Sequence, residues 1–158
     1  MIFRQLFDSV SGTYSYLLAF SAAGSVVGAL IVAWLGKFKR MGLTALLTQA
    51  VYGVFIVAFA MSRTLWLSNI LLFLTGAALM VVFSTVTSLV QLIAPNEMRG
   101  RVMSIYMLAF RGGMPLGSLA SGYAATFLSA PVVLQINGVL LVGVALYFLV
   151  RGHGVREI

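Results

Sequence analysis

Arg111 is the only charged residue between Arg101 and Arg151. Its guanidinium carries five N–H donors in a planar fork, which matches a carboxylate, a phosphate or a pair of carbonyl oxygens. Two chemistries follow. The side chain can contact an anionic substrate or a carboxylate from another helix, or it can tie to backbone carbonyls freed near Gly112, Gly113 and Pro115. A second group, Ser84, Ser88 and Gln91, recurs at i, i+4 and i+7 on one helical face, with Asn69 and Thr75 nearer the far end of the same apolar run. A polar stripe in hydrocarbon must face a cavity or another helix. Taken singly, each hydroxyl can also bond back to its own turn.

Nothing else in the chain points to catalysis. The lone histidine is His153, the acidic residues Asp8, Glu97 and Glu157 are scattered, and there is no cysteine. Metal sites need clusters of such residues and acid–base chemistry needs two placed together. The glycines build no phosphate-cradling loop after a strand. The sequence therefore predicts no enzyme, no metal and no cofactor.

The elements that hold these residues are set by composition. The chain is 61% hydrophobic and 8% charged, with a mean hydropathy of +1.08; soluble domains carry about a quarter charged residues. The lipid bilayer is thus its main solvent. A net charge of +7 raises nucleic acid as a partner, but the cations fall in short gaps between apolar runs and form no binding face, so none is expected. Five runs reach the roughly 20 residues needed to cross about 30 Å of hydrocarbon: 13–35, 43–61, 65–93, 102–127 and 131–150. The third and fourth exceed that length and are expected to tilt or kink. Period-2 alternation is absent, which excludes a membrane barrel. Arg4 and the apolar run after Tyr14 imitate a signal peptide, but the run continues uncharged to Leu35 and is too long for one.

Charge in the gaps gives an orientation. Lys37, Lys39 and Arg40 fill the first gap, Arg99 and Arg101 the third, and Arg151 and Arg156 the tail; the second has Arg63 and the fourth none. Cytoplasmic loops carry the excess of Lys and Arg. The first residue is therefore expected outside and the last inside, with 1–12 the remnant of an external loop, 13–150 the membrane domain and 151–158 a cytoplasmic tail. The chain looks incomplete at its front.

Pro95-Asn96-Glu97-Met98-Arg99-Gly100-Arg101-Val102-Met103-Ser104 is the most specific stretch. Proline at a first helical position and a carboxylate in the first turn predict a short cytoplasmic helix. Its charges serve either as membrane-surface anchors or as a gate in which Glu97 pairs with Lys37, Lys39 or Arg40. An exposed pair is worth about 0–1 kcal/mol, enough to bias a balanced equilibrium. Small residues recur as Gly24-x3-Gly28 in the first run and Gly113-x3-Gly117 in the fourth, a spacing that lets membrane helices approach closely.

Pro95 to Ser104, followed by Ala109-Phe110-Arg111-Gly112-Gly113-Met114-Pro115-Leu116-Gly117-Ser118, resembles the penultimate-helix region of major facilitator superfamily permeases, in the branch of enterobactin-exporter-like and macrolide-efflux-like proteins. Gly24-x3-Gly28-Ala29-Leu30 with Gly36-Lys37-Phe38-Lys39-Arg40-Met41-Gly42 is similar to that family's eighth helix and basic loop, although the loop lacks the family's aspartate. The resemblance implies an all-α membrane protein whose five helices, eight to twelve of twelve, form most of one six-helix bundle. It also implies a small-molecule exporter working by alternating access, whose partners include the N-terminal helices of the same permease. On that correspondence the run 65–93 lines the pathway, and Gln49, Gln135 and Asn137 lie in peripheral helices as structural residues. Inverted three-helix repeats equate the first and fourth runs, where the two glycine pairs sit. A central arginine has no snorkelling route of about 15 Å, so the Arg111 guanidinium is expected inside the bundle, close to the small residues around Gly24. The alternatives are a non-transport membrane assembly protein and a nonfunctional truncated permease.

The charge alternation yields a test. Cysteines introduced at Ser62 and Ser129 should react with an impermeant maleimide added outside intact cells. Reaction only after the cytoplasmic side is opened reverses the orientation.

Overall fold

A chain this apolar must satisfy its backbone within each segment, and without alternating strands the helix is the form that does so. The computed structural model describes residues 2–35 and 41–151, with side chains from 14 to 34 and from 41 to 151. These residues form five α-helices: α1 (Ile2–Leu35), α2 (Met41–Met61), α3 (Leu65–Ile93), α4 (Arg99–Phe127) and α5 (Ala130–Arg151). There is no strand among the described residues. The basic gap holding Lys37, Lys39 and Arg40 lies outside the described residues, as do 152–158 of the tail.

Three boundaries differ from the sequence reading. The backbone of 2–12, expected as loop, continues α1 without a break. Its polar residues suggested a loop, but Phe3, Phe7 and Val10 keep helical spacing and no proline interrupts before Pro95. The short helix expected at Pro95 is a single turn, closed by the Met98 N–H donating to the Pro95 carbonyl at 3.0 Å. After that turn α4 begins at Arg99 rather than Val102. Pro131, by contrast, sits in the first turn of α5, where its missing N–H removes no intrahelical bond.

α1 (through Tyr14–Trp34), α2, α3 and α5 are long and apolar enough to cross a membrane. Trp34 and Trp66, 88% and 82% exposed, mark opposite ends of these spans, as tryptophans do at the two bilayer surfaces. α4 is as long as α3 but is broken up by Arg111, Pro115 and several glycines, and it falls short of the same measure.

α3 is the hub. It packs along α1 on one side and α2 on another, α2 packs along α5, and α4 touches α3 and α5 only lightly. The tight contacts are made where side chains are missing. A Cβ on Gly24 would strike the Phe73 carbonyl and one on Gly28 the Ala77 carbonyl, so α1 and α3 meet backbone to backbone. The fit is reciprocal: a Cβ on Gly76 would strike the Ser21 carbonyl. The Ser25 hydroxyl donates across the seam to Gly76 at 3.3 Å while also reaching Ser21 of its own helix at 3.0 Å. The α2–α5 seam repeats the device, with Gly53 and Gly138 each leaving 2.8 Å between the other's carbonyl and an added Cβ.

Gly113 and Gly117 have nothing within 4 Å of an added Cβ. The two glycine pairs thus differ sharply in surroundings, and α4 makes no contact with α1 among the described residues. In this chain, Gly24→Ala should lower stability by about 1–3 kcal/mol through forced separation of the helices. Gly117→Ala should stay within about 0.5 kcal/mol or gain slightly from helix propensity. Thermal unfolding of the two variants in one detergent gives the comparison; equal losses would mean that α4 is packed as tightly as α1.

Candidate functional site

α4 is a 29-residue helix with no buried residue. Two points hold it. Toward its start, the Phe83 and Phe110 rings lie 5.0 Å apart, and the Thr87 and Tyr106 hydroxyls approach to 3.4 Å, joining α4 to α3. Toward its end, the Asn137 amide donates to the Ser121 hydroxyl at 3.2 Å, joining it to α5. Between them lies an exposed stretch with Arg111, Gly112 and Gly113. Pro115 has no N–H to offer the carbonyl four residues earlier, and that carbonyl is Arg111's own. Its own carbonyl accepts from the Ser118 hydroxyl at 2.9 Å. One position therefore carries a cation on its side chain and a carbonyl that lacks its usual donor four residues on.

The Arg111 side chain is exposed, with no hydrogen-bond or ion-pair partner among the described residues. This departs from the expectation that it would sit inside the bundle beside Gly24. The reason is packing: Gly24 is already filled by α3, and α4 lies away from α1. A central arginine facing hydrocarbon costs at least about 2.5–3.5 kcal/mol.

The polar stripe of α3 divides. Ser84 is half-buried. Ser88 and Gln91 open with Arg99 onto a cleft of about 460 Å³ where the ends of α1 and α3 meet the starts of α2 and α4. At 1.5 Å per residue Arg111 lies about 18 Å further along α4, so the structure does not bring it to Ser88 and Gln91. Thr75 donates to the Leu71 carbonyl at 2.6 Å, a bond within its own turn, while Asn69 Oδ1 is buried without a partner. Glu97 reaches no cation among the described residues; Arg99 instead donates to Asn96 Oδ1 at 2.8 Å. Arg101 is exposed. The proposed pairing of Glu97 with Lys37, Lys39 or Arg40 falls on a loop outside the described residues.

Sequence reasoning assigned Gln49 and Asn137 no shared place. The structure sets them with Gly117 and Ser121 around a cleft of about 390 Å³ between α2, α4 and α5. Their separation in sequence hides this, because the cleft exists only once α5 lies against α2. No group of three or more metal-ligating residues occurs among the described residues.

Four long apolar helices packed through glycine seams, with a fifth that is more polar and weakly packed, define a multi-pass α-helical membrane protein. A major facilitator family model described as a transmembrane secretion effector (MFS_3) matches residues 1–155, and the chain belongs to that family. The family is one of transporters rather than enzymes. No curated protein and no solved structure matches the chain.

Proposed function

We propose that the chain is the C-terminal part of a secondary active exporter, moving a small molecule across the bacterial inner membrane by alternating access. Its N-terminus is outside and its C-terminus cytoplasmic. The observation that carries this reading is α4. A 29-residue helix holding an intramembrane arginine, a proline-freed carbonyl and no buried residue is poorly suited to lipid, and well suited to the wall of a water-filled path closed by a second bundle. That bundle is the N-terminal helices of the same permease, and the bilayer and the transported molecule are its other partners. Arg111 gives the path a binding or gating group for an anionic or carbonyl-bearing substrate. Ser84, Ser88 and Gln91 line the path on α3. The likeness to enterobactin- and macrolide-exporting permeases makes siderophores and macrolides the first substrates to screen.

Alternating access needs two bundles rocking about a central site. The 158-residue chain alone, reconstituted in liposomes, should give no saturable substrate flux; specific flux from it sinks the two-bundle assignment. In the full permease, Arg111→Lys should cut transport about 10–100-fold with membrane expression unchanged. Lysine keeps the charge but loses the fork, and a charge-assisted hydrogen bond is worth about 1.5–3 kcal/mol. A normally expressed, fully active Arg111→Ala removes Arg111 from the path altogether.

A further inference from the structure

The cleft at the basic end, whose Ser88 and Gln91 the transport reading also uses, combines two chemistries. Its polar side is made by the Ser88 hydroxyl, the Gln91 amide and the Arg99 guanidinium. Ser88 and Gln91 have no hydrogen-bond partner among the described residues. Arg99 spends one nitrogen, Nη2, on Asn96, which leaves other N–H donors of its five. The remaining lining is apolar: Val32 and Ala33 from α1, Met41 from α2 and Leu92 from α3. Four helix ends converge here: Ala33, Met41, Gln91, Leu92 and Arg99 stand at or within two residues of their helix ends, and Val32 lies one residue further inside α1. Two of those ends are the N-termini of α2 and α4, whose dipoles add to the positive field of Arg99.

A ligand for such a cleft needs an anionic head with several acceptor oxygens and an apolar tail that leaves sideways into the bilayer. Basic pockets between membrane helices at this level seat lipid headgroups. We propose that the cleft bounded by Ser88, Gln91 and Arg99 is a binding site for an anionic phospholipid, with the phosphate on Arg99 and Gln91 and an acyl chain along Val32 and Ala33. The site depends on the four helix ends lying at one bilayer surface and not on any transport activity.

The test is lipid retention by the chain, purified in neutral detergent and titrated with phosphatidylglycerol, read by native mass spectrometry. Phosphatidylcholine and inorganic phosphate serve as comparators. The wild-type chain should hold phosphatidylglycerol over phosphatidylcholine, and millimolar phosphate should not displace it. Arg99→Gln and Gln91→Leu should each weaken retention about fivefold or more, while Arg101→Gln, two residues on and outside the cleft, should change it less than twofold. Equal weakening by Arg101→Gln would reduce the effect to general surface charge and overturn the site. So would equal retention of phosphatidylcholine, and displacement by phosphate would make it a free-anion site. If Arg99→Gln fails to fold, the wild-type chain still decides. Phosphatidylglycerol, and not phosphatidylcholine, should protect Arg99 from an arginine-specific dicarbonyl as mapped on peptides, and absence of protection overturns the proposal.

Discussion

The bundle depends on the backbone contact between α1 and α3. Lipid tails are as apolar as leucine, so burying large side chains gives membrane helices little reason to associate; what does is close packing between small residues and the hydrogen bonds it permits. Gly24, Gly28 and Gly76 remove the side chains that would hold the two helices apart, and Ser25 uses the space to bond across the seam. Because α3 also packs on α2, and α2 on α5 through Gly53 and Gly138, a failure at the first seam would reach every other helix. The large apolar side chains meanwhile face outward, as Leu30, Trp34 and Leu74 do. That arrangement inverts a soluble core and follows from the solvent.

α4 obeys a different rule. It carries the residues that resist hydrocarbon, Arg111 foremost, and it is the helix with least contact to the rest. In the transport reading these are one fact, since a wall of an aqueous path must be polar toward the path and loosely held if the path is to change shape. The same division separates the two glycine pairs. Identical spacing yields a seam in α1 and open space in α4, so the motif permits close approach without causing it.

The reach of the sequence can be judged residue by residue. The bounds of α3 were legible because an unbroken apolar run fills 65–93, and the structure ends the helix at the same residues, with Thr64 and Ala94 outside helical geometry. The family was legible from the Pro95–Ser104 and Ala109–Ser118 stretches, and the family model that spans residues 1–155 agrees at the level of the superfamily. The start of α1 was not, because polar residues spaced among apolar ones look like a loop when no breaker is weighed against them. Partners were the least legible. Arg111 of α4 was expected beside Gly24, whereas α3 supplies Phe73 there. The pocket of Ser88 and Gln91 with Arg99 could not be read at all, since periodicity places residues on a face but not faces against one another.

Pro115 stands between the two attachments of α4. Tyr106 and Phe110, before it, hold to α3; Ser121, after it, holds to α5. Each half of the helix is thus fastened to a different neighbour, across the point where the hydrogen-bond ladder is already broken. Bending α4 at that break would cost less than bending it elsewhere, and Arg111, whose carbonyl loses its partner at Pro115, belongs to the half that is held to α3.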